Sequence, residues 1–310
     1  MLSFDVLCLA TASGDGRRHR SWGVAGVKQA YGVRHRRGGN GSVDFTGERR
    51  ERLAVILICR GYDEVMCSHY QAEKRRKLIE KRFGTALPPD YEPGPSSHIY
   101  PTYTAPIIRR PHERDSGDEA VPSFEVVEAH FGLLPAFAKE VKYGVRTYNA
   151  RSETVASLAS FKHAWAQARH CIVPCEAIYE PDWRSGQHIP TRFTAADGGT
   201  LGVAGIWSPW QTSEGKWVDS FAMLTVNADD HKLMRHMHRP DPKRPPEMQD
   251  KRMVVILPDG LFEAWLDAPA ANSMDFMRQY PAERLLATPE PIEGKANRVE
   301  LAPPTQADLF

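Results

Sequence analysis

Short runs rich in β-branched and aromatic residues constrain the fold more than any other feature of this 310-residue chain. Such runs occupy residues 124–131, 171–179, 200–206, 220–226 and 253–257, and each has the length of a β-strand. Helical patterns occur at residues 71–82, 157–168 and 261–266, so strands and helices do not alternate regularly. This order disfavours a doubly wound parallel sheet. It predicts an α+β fold, mostly antiparallel β-sheet with flanking helices.

A further β-rich run at residues 99–108 contains two prolines, Pro101 and Pro106. Proline cannot donate a backbone hydrogen bond to a neighbouring strand, so this run is predicted to lie at a sheet edge.

Composition and charge narrow the class of protein. The chain is 41% hydrophobic and 25% charged, which is usual for a soluble globular protein. No stretch approaches the roughly 20 apolar residues that a membrane helix needs. We therefore expect no membrane partner. The formal net charge is only +1, so any contact with DNA must come from local clusters of basic residues.

The five cysteines fit no disulfide framework, because their number is odd and their spacing irregular. This favours a reducing, cytoplasmic compartment. Cys171 and Cys175 could be half of a zinc site, but no second pair with ligand spacing follows. Buried structural thiols are therefore predicted at these two positions. No metal and no cofactor are expected.

The composition and hydrophobic pattern of the chain change near Met66. Residues 1–65 carry arginine and glycine clusters without clear periodicity, so they are predicted to be a disordered extension or a mis-assigned translation start. Residues 66–286 have the pattern of one folded domain. Residues 287–310 are predicted to be a flexible tail.

Four short segments could carry chemistry. They are Met66-Cys67-Ser68-His69-Tyr70, residues 148–154 around Asn149 and Arg151, residues 171–181 around Glu180, and Met237-His238-Arg239-Pro240. Taken singly, each has an ordinary explanation: Glu180 could be a solvated carboxylate at a strand end, and His238 a loop residue.

Together and in this order, the segments resemble the SOS response-associated peptidase (SRAP) family, the abasic-site processing proteins. The resemblance runs from Cys67 to about Leu266. It includes residues 131–138, Phe-Gly-Leu-Leu-Pro-Ala-Phe-Ala, which match a family segment with Phe in place of two tryptophans. Residues 202–207 and 225–228 match further family segments. The resemblance implies a single SRAP-like domain that acts on abasic sites in single-stranded DNA, and therefore a nucleoid-associated protein.

The resemblance also implies a set of catalytic residues. Cys67 would become the N-terminal residue and attack the abasic aldehyde with its α-amine and thiol. Asn149 would orient the sugar or the cysteine, Glu180 would act as the general acid and base, and His238 would protonate or stabilise the Schiff base. His236 competes with His238 for this role, but the His-Arg-Pro context favours His238.

DNA-binding residues follow from the same resemblance and from local charge. Arg151 would hold a phosphate, and His69 stands where many relatives carry arginine. Lys74 and Arg75 belong to a basic run directly after the proposed nucleophile. The pairs Arg109-Arg110, Lys243-Arg244 and Lys251-Arg252 would add supporting positive charge.

The chain ends in Gln306-Ala307-Asp308-Leu309-Phe310. This pentapeptide is similar to the motif with which bacterial repair proteins bind the replicative sliding clamp. Gln306 would make backbone contacts, and Leu309 and Phe310 would fill an apolar groove. A frayed terminus that happens to end in Leu-Phe is the alternative.

The sequence alone is compatible with three functions. The first is a monomeric abasic-site enzyme that forms a covalent thiazolidine crosslink to DNA, with self-processing peptidase (hydrolase) and lyase activity. The second is a thiol peptidase acting on proteins, with Cys67 as nucleophile and His238 and Glu180 as partners. The third is a non-catalytic adaptor that binds DNA or the clamp.

Overall fold

The computed structural model describes residues 68–85, 87–88, 91, 97–113 and 116–290. Within these residues there are eleven strands: β1 (His69–Ala72), β2 (His98–Ile99), β3 (Thr104–Arg109), β4 (Glu125–Phe131), β5 (Asn149–Arg151), β6 (His170–Asp182), β7 (Ile189–Ala195), β8 (Leu201–Gln211), β9 (Trp217–Asn227), β10 (Arg252–Val254) and β11 (Leu285–Pro289). The α-helices of the same residues are α1 (Arg76–Phe83), α2 (Lys162–Ala166) and α3 (Phe262–Asp267). Short 3-10 segments lie at Val141–Arg146, Met234–His236, Ala270–Phe276 and Ala282–Arg284.

Strand β6 is the centre of the sheet, since it pairs with β1, β3, β7 and β8. Strands β8 and β4 both pair with β9, and β3 pairs with β4. The strands β6, β3, β4, β9 and β8 therefore form a closed circuit around the apolar core. Phe131, Ile172, Phe221 and Val203 are fully buried residues of this core.

The predicted fold class is confirmed: the structure is α+β and rich in sheet, and the pairs among the described strands are antiparallel except β4 with β9 and β5 with β9. The proline-containing run divides between two strands. Strand β2 pairs only with β1 among the described strands and lies at the sheet edge, as predicted. Strand β3, which contains Pro106, lies between β4 and β6, so the edge prediction is wrong there. Pro106 is tolerated there because β3 meets β6 only through Ile108 and Ile172.

Two predicted helices are longer than the helices in the structure. The helix predicted at residues 71–82 starts only at Arg76, because residues 69–72 pair with β6. It ends at Phe83, and the next residue, Gly84, has a left-handed φ of 65° that lets its N–H bond to the carbonyl of Glu80. The helix predicted at residues 157–168 is reduced to α2, preceded by turns.

Four of the described strands were not predicted: β1, β5, β7 and β11. The predicted domain boundary at residue 286 falls inside β11, which pairs with β7 as far as Pro289. The predicted N-terminal extension and most of the predicted tail lie outside the described residues.

No helix among the described residues is long and apolar enough to cross a membrane.

Candidate active site

The closest contact between two predicted catalytic residues joins Glu180 to His238. Glu180 lies near the end of β6, where its side chain is only 2% exposed. Its Oε2 atom is 2.7 Å from Nε2 of His238, whose side chain is 19% exposed. Both atoms are buried and lie at ion-pair distance without the orientation of a hydrogen bond. A carboxylate and a partly exposed imidazole this close are groups that could take part in proton transfer to a bound molecule.

The backbone explains why His238 meets Glu180. Met237 forms an isolated antiparallel bridge with Asp182 at the end of β6. The backbone N–H of His238 donates to the carbonyl of Pro181 over 2.7 Å. His238 has a φ of 60°, a left-handed conformation that is uncommon outside glycine. The loop is therefore attached to β6 directly beside Glu180.

His236, the competing histidine, has a different environment. Its Nε2 accepts a hydrogen bond from Nε of Arg235 at 3.1 Å. Burial, together with the charges of Arg235 and Arg184, lowers the pKa of His236. Among the contacts of the described residues, it is His238 that touches Glu180.

The strand that follows the proposed nucleophile runs beside this contact. In β1, His69 pairs with Tyr179, the neighbour of Glu180. Continuing this register by one residue places Ser68 level with Glu180. The His69 ring stacks between Tyr100 and Tyr179, at centroid distances of 4.4 and 4.2 Å. Cys67 itself lies outside the described residues.

His69 is also bonded to a second histidine. Its Nε2 is 2.8 Å from Nδ1 of His98, and burial raises the pKa of the stacked Tyr179 to about 12. His69 is therefore part of a packed aromatic group. Its predicted contact with DNA stays a prediction.

Strand β5 carries Asn149 and Arg151, which project to the same side because they are two residues apart. Asn149 pairs with Met223 of β9 in a parallel ladder. Arg151 is half-buried, and its Nη1 lies 2.8 Å from Oδ2 of Asp250. The guanidinium predicted to hold a phosphate is thus bound to a carboxylate in the free protein.

The two basic residues after β1 differ in their surroundings. Arg75 binds Glu73 through two nitrogens, at 2.8 and 2.7 Å. Burial alone would raise the pKa of Glu73, but the hydrogen bonds from Arg75 and Thr200 outweigh it and lower this pKa. Burial lowers the pKa of Lys74. The contacts of both residues with DNA stay predictions.

The prediction that the basic pairs add positive charge for DNA is wrong at three positions. Arg109, Lys251 and Arg252 are buried, with 5%, 6% and 4% exposure. Their charges are used inside the protein: Arg109 binds Glu125, and Arg252 binds Glu153 through two nitrogens. A pair of basic letters in the sequence does not reveal such internal partners.

The predicted burial of Cys171 and Cys175 is confirmed: both are free thiols with 0% exposure. Burial raises the pKa of each thiol, which disfavours the thiolate that a metal would need. The described residues contain no group of three or more His, Cys, Asp or Glu side chains that could hold a metal ion.

The structure also contains a cavity of about 360 Å³, but it is separate from the Glu180–His238 contact. It is lined by His112, Pro209, Trp217, Val218 and Asp219, none of which is a predicted site residue. An open site of the kind expected for a DNA strand need not form an enclosed cavity.

Lys251, predicted only to add positive charge for DNA, and Asp250, which has no predicted role, both touch the candidate site. Lys251 donates to the carbonyls of Met237 and His238, and Asp250 binds Arg151. Asp250 and Lys251, which are adjacent in the sequence, thus connect Arg151 to the His238 loop. The predicted clamp-binding residues Gln306, Leu309 and Phe310 lie outside the described residues.

The chain is similar in sequence to known proteins of one family. A family model described as SOS response associated peptidase (SRAP) matches residues 66–293. The abasic site processing protein YobE of Bacillus subtilis is 29% identical over 178 aligned residues, and the match covers 53% of this chain and 74% of YobE. The abasic site processing protein HMCES of Gallus gallus is 23% identical over 249 aligned residues, and the match covers 72% of this chain and 67% of that protein.

A crystal structure of a protein from Bordetella bronchiseptica is similar to most of this chain. It is 43% identical, with a TM-score of 0.63, and the match covers 73% of this chain and all of that chain. A structure from Bacteroides thetaiotaomicron, at 20% identity and a TM-score of 0.57, shares the fold.

Proposed function

Because the chain belongs to the SOS response associated peptidase (SRAP) family, we propose that it processes abasic sites in single-stranded DNA by forming a thiazolidine crosslink through Cys67. The matched relatives YobE and HMCES are named abasic site processing proteins. The observation that carries the proposal is the 2.7 Å contact between Glu180 and His238, since the reaction requires repeated proton transfer at one place.

The proposed reaction uses both functional groups of an N-terminal cysteine. The ring-opened abasic sugar has an aldehyde at C1. The α-amine of Cys67 adds to that carbon, and loss of one water gives a Schiff base. The thiol then adds across the C=N bond, with its proton passing to nitrogen, and closes a five-membered ring. In sum, amine, thiol and aldehyde give a thiazolidine and one water.

The nucleophile must be a free amine. An α-amino group has a reference pKa of about 7.7–8.0, so a useful fraction is neutral near pH 7.5. While a peptide bond joins Met66 to Cys67, the nitrogen of Cys67 is an amide and cannot attack. The function therefore requires that this bond be cut or that the chain begin at Cys67. Self-processing by the same site is one route.

The Glu180–His238 pair supplies the proton transfers. Glu180 would protonate the sugar ring oxygen during opening and the hydroxyl that leaves as water. His238, in contact with Glu180 and partly exposed, would return the proton to that carboxylate or stabilise the Schiff base. Such positioned acid–base groups typically contribute about 10²–10⁴ in rate.

The start of β1 supports the proposal, because His69, its first residue, pairs with Tyr179, the neighbour of Glu180. Asn149 and Arg151, on one side of β5, would orient the sugar and hold a phosphate.

A crosslinking experiment tests the proposal. A protease site placed directly before Cys67 allows one purified full-length chain to be compared uncut and cut, with abasic single-stranded DNA. The cut chain should give a heat-stable crosslinked band, and the uncut chain and the cut Cys67→Ala variant should give none. Glu180→Gln should slow crosslinking about 100-fold or more, whereas Glu176→Gln, the same change on the same strand, should not. No band from the cut chain would refute the proposal.

A thiol peptidase remains the second candidate, because the same imidazole–carboxylate contact is the arrangement that activates a cysteine thiol in peptidases. Such an enzyme needs no free amine. Cleavage of a protein substrate by the uncut chain, lost in Cys67→Ala, would support it, whereas crosslinking of abasic DNA by the cut chain alone supports the first proposal.

The C-terminal pentapeptide adds a proposed partner, the replicative sliding clamp. Deleting residues 306–310 should abolish clamp binding and leave crosslinking of abasic DNA unchanged. Substituting only Leu309 and Phe310 by alanine should have the same effect, since these residues would fill the groove. Unchanged binding of purified clamp would exclude this partner.

A further inference from the structure

We propose that Lys251 is a positioning residue whose ammonium group fixes His238 against Glu180. This inference rests on the proposed function for its catalytic consequence, but its structural part concerns the His238 loop alone. It assigns a role to a residue whose position in the sequence suggests only surface charge.

The contacts of Lys251 converge on both peptide groups that flank the Cα atom of His238. Its Nζ atom donates to the carbonyl of Met237 at 2.7 Å and to the carbonyl of His238 at 2.8 Å. The intervening N–H of His238 donates to Pro181 on β6. With both peptide planes held, the direction in which the His238 side chain leaves the backbone is fixed.

The backbone of His238 needs such support. Its φ of 60° lies in the left-handed region, which a residue with a Cβ atom adopts at a cost in energy. Conformations of this kind persist only where surrounding contacts hold them. The hydrogen bonds from Lys251 are among those contacts, and they are charge-assisted, so they are stronger than bonds between neutral groups.

Lys251 is itself held in place. Oδ1 of Asp229 accepts the backbone N–H of Lys251 at 2.8 Å, and Oδ2 accepts the N–H of Asp250 at 3.1 Å. Burial lowers the pKa of Lys251, and the nearby charge of Asp229 acts in the opposite direction. A buried cation is costly unless its donors are satisfied. Here two of its three donors are bound to the loop that carries His238.

The test uses the full-length chain with ¹⁵N-labelled histidine. In Lys251→Met, the imidazole ¹⁵N resonances of His238 should move towards those of an unconstrained histidine. In Lys251→Arg, which keeps the charge, they should stay close to the parent values. Lys216→Met, the same change at an exposed lysine, is the control. Unchanged His238 resonances in folded Lys251→Met would overturn the inference. If Lys251→Met fails to fold, Lys251→Gln takes its place with the same expectation, because a glutamine side chain is shorter and uncharged.

Kinetics then separate positioning from general stability. With Cys67 exposed by cleavage, Lys251→Met should form the crosslink about 10- to 100-fold more slowly, while binding intact single-stranded DNA within twofold of the parent. The double variant Lys251→Met/His238→Ala should be no slower than His238→Ala alone, because Lys251 acts through His238. Additive losses would overturn the inference. Absence of any crosslink from the parent would instead refute the proposed function, and the NMR comparison would still decide the role of Lys251.

Discussion

At the scale of single residues, Asp250 shows how a partner can restrain a predicted DNA contact. Its Oδ2 lies 2.8 Å from Nη1 of Arg151 and 3.5 Å from Nη1 of Arg244, and its Oδ1 lies 3.4 Å from Nη1 of Arg252. Arg252 is already neutralised by Glu153. The carboxylate of Asp250 therefore reduces the positive potential that a DNA phosphate would meet at Arg151.

Asp250→Asn should bind single-stranded DNA more tightly, by about two- to tenfold at low salt, because it removes a negative charge beside the phosphate position. The gain should shrink as ionic strength rises. Fluorescence anisotropy with labelled DNA measures it, and Asp259→Asn, which neutralises a carboxylate paired with Arg82, is the control. Weaker binding by Asp250→Asn would mean that this carboxylate instead orients Arg151.

The sequence identified Glu180 and His238 only because short segments occur in one order along the chain. Neither residue is distinctive by itself. The contact of Lys251 with the His238 loop could not be predicted, because its partners are backbone carbonyls, which no side-chain pattern indicates. Asp250 was missed because its closest partner, Arg151, is 99 positions away, and such pairings depend on how β5 and β10 both join β9.

At the scale of structural elements, a close approach of two glycines connects β4 to the segment before β5. Gly132 has a φ of 118°, and a Cβ atom added to it would lie 2.3 Å from the carbonyl oxygen of Gly144. Next to it, the Thr147 hydroxyl donates to the carbonyl of Leu133 at 2.7 Å. This contact sets where the chain enters β5, and hence where Asn149 lies.

Gly132→Ala should therefore lower the free energy of unfolding by on the order of 2–4 kcal/mol, because the methyl group meets rigid backbone. Gly215→Ala is the matched control: its φ is also positive, 83°, but the added Cβ has no neighbour within 4 Å. It should cost only about 1–2 kcal/mol, the conformational part. Urea unfolding measures both. Equal losses would show that the close approach does not constrain the fold.

The strands that were predicted correctly are those whose own sequence carries a recognisable hydrophobic pattern. Strands β4, β6, β8 and β9 contain continuous or alternating apolar residues, so local sequence suffices. Strand β5 is only three residues long, Asn-Ala-Arg, and exists through its pairing with β9. The predicted start of the first helix is wrong for the same reason: residues 69–72 pair with β6, which lies about 105 residues further along the chain.

At the scale of the whole molecule, one buried histidine makes folding sensitive to mild acid. His170 is 3% exposed, stacks on Trp265 at 3.8 Å between centroids, and lies 2.8 Å from the hydroxyl oxygen of Ser273. Burial lowers its pKa from 6.5 to about 4. Between these values the unfolded chain binds a proton that the folded chain excludes, so the folded state loses stability as pH falls through this range.

The contribution of His170 should be present in full above pH 6.5 and decline towards pH 4, by on the order of 2–3 kcal/mol. Substitution of His170 by Gln should flatten this part of the stability–pH curve, whatever it does to stability at neutral pH. His163→Gln, at an exposed position on α2, should leave the curve unchanged. Unfolding by urea at several pH values measures the slope, and an identical slope in His170→Gln would exclude this origin.

The mass of the product shows directly whether Cys67 forms a thiazolidine with abasic DNA. The cut full-length chain is incubated with an abasic oligonucleotide, and the adduct is analysed intact and after proteolysis. We predict a mass equal to protein plus oligonucleotide less one water, with the modification on the peptide that begins at Cys67. An adduct on any other residue, or an equal yield from the uncut chain, would contradict the account.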